Sequence, residues 1–284
     1  MKIHQRWPVL LVLSMAAVGC GGSVASEQPS SVSAAATRAP VARGAHGVVR
    51  LVGDALGDVP LTPSQRADIE KLAADSDAAH AEARAARREL MLAIAAQVEA
   101  GAIDRAALQP RIDAVAAAVA RAQPADRAAL ERLHGLLTPD QRSAFVAALE
   151  SRWNERPAPQ GAHPLRQWAR DLNLSGDQRD QIKAALQARL RGGPHEGGGP
   201  RAWAEARERR AKLLEAFEKD RFVLDEVAPT QEGAGRAARA GDWLLGVAEA
   251  ALPVLTPEQR VVAAQKIRAR ADETDVAGPG PLVP

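Results

Sequence analysis

The chain has 284 residues and a formal net charge of +2. Lys2 and Arg6 account for that excess, because residues 1–20 contain no acidic residue and the remainder carries equal numbers of cationic and acidic side chains. The overall charge therefore gives no evidence for nucleic-acid binding. With no tyrosine and three phenylalanines, the composition predicts thin helices that pack through small side chains, each of which buries little apolar area.

Residues 1–20 have the pattern of an export signal. Two cations precede an apolar run from Val9 to Val18, and small residues lead to Cys20. A run of about ten apolar residues is too short to span a bilayer as a mature helix. Cys20 is the one cysteine of the chain, so it cannot form an internal disulfide. Its position looks like a bacterial lipobox, which implies a lipid anchor on Cys20, and the alternative is an ordinary signal peptide with a chance cysteine.

The segments after the signal differ in composition. Stretches rich in Pro, Gly and Ser are typical of linkers, and longer stretches with apolar residues every three or four positions are typical of amphipathic helices. The predicted order is a signal peptide at 1–20, a flexible tether at 21–55, a first helical unit at 56–153, a linker at 154–164, a second helical unit at 165–272 and a disordered tail at 273–284.

The apolar periodicity predicts an all-α fold. One stripe runs from Ile69 to Val98 and predicts a single long helix that ends at Gly101. A second stripe follows from Leu108 to Ala122, and Pro124 should kink or break its helix. A shorter final helix of the first unit is predicted to end near Trp153.

A six-residue motif recurs along the chain. Residues 61–66 read Leu-Thr-Pro-Ser-Gln-Arg, and residues 137–142 and 255–260 differ from them only at the fourth position. Residues 174–179 form a degenerate copy with Ser-Gly in place of Thr-Pro. The first two copies begin 76 residues apart and the last two begin 81 residues apart. This near-equal spacing indicates two copies of one unit.

Each copy has the pattern of a helix start. The Thr or Ser can cap the helix, the Gln three residues later can complete a capping box, and Pro suits the first helical position. The predicted helix-cap residues are Leu61, Thr62, Gln65, Leu137, Thr138, Gln141, Leu174, Ser175, Gln178, Leu255, Thr256 and Gln259.

Paired Leu-Thr-x-x-Gln motifs of this kind resemble the Spy/CpxP family. The resemblance implies helical-hairpin units that dimerise into a curved cradle, in ATP-independent periplasmic chaperones, envelope-stress regulators and zinc- or nickel-responsive proteins. This chain departs from the family pattern because it holds two tandem units, so we expect the two units to pack as an intramolecular pseudo-dimer. With Cys20 as the anchor, the expected location is the periplasm, lipid-anchored to the cell envelope. Gly21, in place of an Asp after Cys20, is compatible with the periplasmic face of the outer membrane, and the choice of membrane stays open.

No catalytic or cofactor motif is visible in the sequence. There is no nucleophile elbow, no phosphate-binding loop and no His-Glu-x-x-His sequence, so we expect neither enzyme activity nor a cofactor. Asp77 with His80, and Glu131 with His134, are spaced to share a helix face, but neither pair has a third ligand at a fixed spacing. The expectation is that no metal site exists and that the histidines are solvated at the surface.

Two clusters of arginine are candidate contacts for unfolded proteins. Arg84, Arg87 and Arg88 lie in the first unit, and Arg207 and Arg210 lie in the second. Mixed basic and apolar surface suits transient capture of an unfolded chain, whereas the alternative is an ordinary solvated helix face. The expected partners are unfolded envelope proteins and, through Cys20, the membrane. The alternative function is a stress or heavy-metal regulator that acts on a membrane partner such as a sensor kinase.

Overall fold

The structure is a computed structural model, and it describes residues 35–155, 164–192, 200–228 and 232–276. These residues form an all-α fold, as the periodicity predicts, with one isolated antiparallel bridge between Thr37 and Leu61. The helices are α1 (Gly47–Leu56), α2 (Pro63–Ala79), α3 (Ala81–Ala100), α4 (Arg105–Leu136), α5 (Pro139–Glu155), α6 (Pro164–Asp171), α7 (Gly176–Gly192), α8 (Pro200–Glu218), α9 (Leu224–Val227), α10 (Glu232–Ala251) and α11 (Pro257–Val276).

The helix boundaries differ from the expected ones at two positions. The long helix predicted before Gly101 is divided at His80 into α2 and α3, and the His80 ring is held by Asp126 of α4 at 2.8 Å. Conversely, Pro124 does not break α4, which continues through both Pro110 and Pro124 to Leu136. Packing of α4 against α2, α3 and α10 stabilises the helix despite the missing proline donors.

The prediction of a tether as far as residue 55 is also wrong in its second half. Residues 47–56 form α1, and Val41, Ala55 and Leu56 are almost completely buried. A segment rich in small residues is typical of a flexible linker, but small side chains also allow a backbone to pack closely. Ala42 and Ala45 are buried for this second reason. Residues 21–34, the rest of the predicted tether, lie outside the described part of the chain, as does Cys20.

Two hydrophobic cores each combine residues from before and after the linker. The first core surrounds Leu61 and Leu137 and also contains Leu214 and Phe217 of α8. The second core surrounds Leu255 and also contains residues of α3 and α4 such as Ile94 and Ile112. Each core therefore depends on apolar side chains from both halves of the chain.

Contacts between helices connect the halves, most extensively in three pairs. Helix α3 packs along α11, α4 packs along α10, and α5 packs against α8. Arg105 of α4 reaches α10 with a bidentate pair to Glu249 at 3.0 Å and a second ion pair to Asp242 at 2.9 Å. The hydrogen bond from Arg105 opposes the effect of partial burial and lowers the pKa of Glu249, so this carboxylate stays ionised.

All three phenylalanines of the chain meet around one histidine. Phe217 and Phe222 lie 5.2 Å from the ring of His134, and Phe145 lies 5.3 Å from Phe217. The Nε2 atom of His134 is 2.8 Å from the carbonyl of Lys219. Edge and offset contacts of this kind stabilise the junction between α4, α5 and α8. None of the described helices combines the length and the apolar character that a bilayer span requires.

Candidate functional site: two pairs of glutamine motifs

The Thr or Ser of each motif caps a helix, as predicted. The Thr62 hydroxyl accepts from the Gln65 amide at 3.2 Å, and the Gln65 side-chain oxygen accepts from the Thr62 amide at 3.0 Å. The same two bonds form between residues 138 and 141, 175 and 178, and 256 and 259. The four motifs therefore begin α2, α5, α7 and α11. Ser175 keeps the cap although Gly176 replaces the proline.

The first two motifs also bind each other through their glutamines. The Nε2 of Gln65 donates to Oε1 of Gln141 at 2.7 Å, and Nε2 of Gln141 donates to Oε1 of Gln65 at 3.0 Å. Each Nε2 also donates to a carbonyl that precedes the partner's leucine. Gln65 reaches the Leu136 carbonyl at 2.8 Å, and Gln141 reaches the Pro60 carbonyl at 2.7 Å.

The second pair of motifs repeats the arrangement. Gln178 and Gln259 exchange bonds of 2.8 and 3.2 Å. Gln178 donates to the Val254 carbonyl at 2.6 Å, and Gln259 donates to the Leu172 carbonyl at 3.1 Å. Only the last contact departs from the first pair, since its acceptor lies two residues before the leucine, next to Asn173 in a positive-φ conformation.

Each motif glutamine uses its full hydrogen-bonding capacity. The amide oxygen accepts from the cap N–H and from the partner amide, while the two amide hydrogens go to the partner oxygen and to a carbonyl. Among side chains, only the amides of Gln and Asn have two acceptor sites and two donors on one group, and Asn is one methylene shorter. The paired glutamines fasten two helix starts that lie far apart in sequence, and they leave no free group for a substrate.

The arginine after each glutamine has a different role at each site. Arg66 donates to the carbonyls of Ala39 and Thr37. Arg142 is buried and pairs with Asp220 at 2.7 Å. Arg179 is exposed and reaches the Ser175 carbonyl at 3.3 Å. Arg260 lies against Gly101, where an added Cβ would come within 2.4 Å of its Nη1 atom.

The histidines are structural rather than solvated, which corrects the expectation for three of them. His46 is 3.0 Å from Asp77, which also pairs with Arg84, and His134 is buried. His80 pairs with Asp126, and that hydrogen bond raises the pKa of His80 against the opposing effect of burial. In the described ranges no group of three potential ligands is placed to hold a metal. His163 and His195 lie outside them.

The first arginine cluster is largely occupied by protein contacts. Arg84 binds the carboxylate and carbonyl of Asp77, and Arg88 pairs with Asp272 at 2.8 Å. Burial, together with the charge of Arg270, lowers the pKa of Arg87. In the second cluster Arg207 and Arg210 are exposed, and Arg210 lies 4.9 Å above the Trp153 ring. The structure therefore leaves the second cluster as the accessible one.

Comparison with known proteins agrees with the motif analysis. Residues 53–149 match the family model described as LTXXQ motif family protein, which covers about a third of the chain and includes the first pair of motifs. No curated protein and no solved structure matches the chain. The match begins within α1 and ends within α5, so it contains both glutamines of the first pair. Residues 53–149 are therefore similar to the LTXXQ motif family, which is associated with Spy/CpxP-type proteins.

Proposed function

We propose that this protein binds unfolded or aggregation-prone envelope proteins and prevents their aggregation without ATP. The observation that carries the proposal is the LTXXQ family segment at residues 53–149, with its two motifs fastened by Gln65 and Gln141. The proposal assigns the protein no catalytic step and no cofactor. It gives the glutamine pairs a structural role, which is to hold the helices that present the binding surface.

The exposed face of α8 is the candidate for first encounter with a client. Arg207 and Arg210 are exposed there, and Arg210 covers the ring of Trp153. Cationic side chains accelerate encounter with acidic segments of an unfolded chain, and neighbouring apolar surface prolongs the contact. Arg84 and Arg88 support this role less well because both are held by carboxylates of the protein itself.

We further propose that the two halves act as an internal pseudo-dimer. The pairing of α3 with α11 corresponds to the pairing of α8 with α5, and α4 pairs with α10, its counterpart in the second half. Each core contains apolar side chains from both halves. One polypeptide would then supply the paired surface that single-unit relatives obtain by dimerising, because joining the halves in one chain raises their effective concentration.

Attachment to the membrane through a lipid on Cys20 is part of the proposal. It is supported by the apolar run and small residues that precede Cys20. Replacement by serine removes the thiol that the lipid would modify. Cys20→Ser should therefore move the protein from the membrane fraction to the soluble fraction, or leave an uncleaved precursor. A variant that fractionates with membranes like the wild type would contradict the anchor.

An aggregation assay tests the proposed function directly. Purified residues 21–284 are mixed with a denatured model protein in buffer without ATP, and light scattering is followed. We expect scattering to fall as the chaperone is added in a few-fold excess. The double variant Arg207→Glu, Arg210→Glu should weaken protection, whereas Arg236→Glu, at an exposed position on α10, serves as the matched control. Unchanged scattering combined with tight stoichiometric zinc or nickel binding would contradict the proposal and favour the regulatory alternative.

A further inference from the structure

A non-helical segment of residues 37–46, here called the strap, lies along α2, and its chain turns at residues 42–45, where Ala42 has a φ of +56° and the Ala45 amide donates to the Ala42 carbonyl at 3.0 Å. Thr37 and Leu61 exchange two backbone hydrogen bonds of 2.9 and 3.0 Å. Three side chains of α2 then bind further backbone atoms of the strap. Arg66 donates to the carbonyls of residues 37 and 39, Glu70 accepts from the amide of residue 42, and Asp77 accepts from the amide of residue 46, all within 2.8–2.9 Å.

The side chains of α2 contact residues 37–42 of the strap through backbone atoms. Arg66, Glu70 and Asp77 are four and seven residues apart, so they share one face of α2. Every one of their contacts with residues 37–42 goes to a carbonyl or an amide. Because all peptide segments present these same atoms, recognition of this kind gives affinity with little dependence on sequence, as when a strand is added to a sheet edge.

Gly53 of α1 and Gly57, which follows the end of α1, make room for the strap backbone. A Cβ at Gly53 would lie 2.6 Å from Cβ of Ala42 and 2.8 Å from the carbonyl oxygen of Val41. A Cβ at Gly57, one turn later, would lie 3.3 Å from Cα of Pro40. The two positions form a channel into which a backbone fits closely. The channel between α1 and α2 is called the strap groove below.

The strap groove constrains the side chains at some positions of the strap and leaves others exposed. Val41 is 1% exposed and fills the first core, whereas Arg43 and Gly44 are exposed. Beside residues 39 and 40 an open cavity of about 430 Å³ extends to Arg152. An occupant therefore needs an apolar side chain at the position of Val41 and small residues at the positions of Ala42, which has a positive φ, and Ala45, while larger residues fit beside the cavity.

We propose that the strap groove is a binding site for extended segments of unfolded proteins, and that the strap is its intramolecular occupant. An unfolded client with an apolar residue in place of Val41 would displace the strap and take over its backbone contacts. This inference rests on the proposed chaperone function and names the form of the client. Because the strap is part of the same chain, its high effective concentration would restrict the groove to clients that offer many binding segments.

The first experiment frees the groove in the full mature chain. Val41→Asp places a carboxylate in the first core and should release the strap, whereas the same substitution at Val48, 55% exposed, should not. The probe is a fluorescent peptide with the sequence of residues 36–46, and binding is followed by anisotropy. We expect one-to-one binding to Val41→Asp that is at least tenfold tighter than to the wild type or to Val48→Asp. Equal binding to all three chains would overturn the proposal.

The second experiment blocks the groove itself. Gly53→Ala adds the Cβ that meets Ala42 and the Val41 carbonyl, so it should release the strap and also exclude the peptide. Release is checked by the rate of tryptic cleavage after Arg43, and folding by circular dichroism. Peptide binding to Gly53→Ala as tight as to Val41→Asp would show that the peptide binds elsewhere, and would overturn the proposal.

A third experiment tests whether an unfolded protein and the labelled peptide compete for the strap groove. A reduced, unfolded model protein should displace the labelled peptide from Val41→Asp, with half-displacement near the concentration at which it is protected from aggregation. If the chain prevents aggregation of that protein but the protein does not displace the peptide, the groove is no client site and the proposed function stands. Failure of the wild-type chain to prevent aggregation would instead refute the proposed function, while the peptide titrations would still decide whether the groove accepts an extended chain.

Discussion

Gln65 and Gln141 are joined by two side-chain hydrogen bonds, one donated by each amide. The distance from Nε2 to Oε1 is 2.7 Å for the bond that Gln65 donates and 3.0 Å for the bond that Gln141 donates. This exchange joins the start of α2 to the start of α5, although the two glutamines are 76 residues apart. Gln178 and Gln259 form the same pair 81 residues apart. The repeated glutamine of the motif is therefore explained by a contact between motifs as well as by helix capping.

Loss of one glutamine should leave its partner unsatisfied. Gln141→Met keeps the side-chain length but removes the bonds to Gln65, to the Thr138 amide and to the Pro60 carbonyl. Since Gln141 is buried, we expect the free energy of unfolding to fall by about 1–3 kcal/mol, as measured by urea denaturation. Gln265→Met, at an exposed position on α11, is the control and should change stability little.

A double-mutant cycle isolates the contact between the motifs. Gln65→Met alone should also destabilise the protein, but Gln65→Met combined with Gln141→Met should cost less than the sum of the two. The reason is that the second substitution removes an amide that has already lost its partner. Strict additivity would show that the two side chains contribute independently.

Removal of the N-cap of α5 should have a smaller and local effect on stability. Thr138→Ala removes the hydroxyl that accepts from the Gln141 amide at 3.4 Å. We expect a loss of about 0.5–2 kcal/mol in the free energy of unfolding, the usual cost of an N-cap. Ser143→Ala, on the exposed face of the same helix, should be neutral or slightly stabilising. If Thr138→Ala abolished client protection at unchanged thermal stability, Thr138 would be a contact residue and the structural assignment would fail.

Gly101 should resist substitution for two separate reasons. Its φ of +83° is unfavourable for residues with a Cβ, and that Cβ would meet Arg260. Gly101→Ala should therefore destabilise the protein by at least about 1 kcal/mol. Gly135→Ala, where no neighbour lies within 4 Å inside α4, should be stabilising. In an Arg260→Ala background the cost of Gly101→Ala should shrink but not vanish, because the backbone strain remains.

His80 should make the protein more stable at mildly acidic than at mildly basic pH. The hydrogen bond to Asp126 raises the pKa of His80 above its usual value, with burial and Arg84 opposing and Asp77 assisting. A raised folded-state pKa stabilises the protein below the unfolded pKa of about 6.5, and this contribution is lost as pH rises through the folded pKa. Melting temperatures at pH 6 and pH 8 should differ less in His80→Asn and in Asp126→Asn than in the wild type. An unchanged pH dependence in both variants would contradict the assignment.

The sequence predicts the helix starts well because capping is local. Thr62 and Gln65 lie within one turn, so their residue types alone indicate the bonds they form. The pairing of Gln65 with Gln141 was not predicted, since it depends on how distant helices pack. The sequence nevertheless contains an indication of this pairing. Capping uses only the side-chain oxygen of each glutamine, and a buried amide also needs acceptors for its two hydrogens.

The other differences also arise from tertiary contacts. Asp126 holds His80 where α2 and α3 separate, and Gly53 and Gly57 accept a strap that composition alone presents as a tether. Arg84 and Arg88 looked available for clients because their partners, Asp77 and Asp272, become neighbours only in the folded chain. Sequence periodicity identifies the helices, but which charged side chains remain free depends on the packing.

The most direct test of the internal pseudo-dimer is to cut the chain between its halves. A site for a sequence-specific protease is placed between Pro157 and Gly161 of residues 21–284, the folded protein is cleaved, and the products are examined by analytical ultracentrifugation. The contacts of α3 with α11, α4 with α10 and α5 with α8 predict one species with the mass of a single uncut chain, before and after cleavage. Separation into two half-mass species after cleavage, or a stable homodimer before it, would contradict the account.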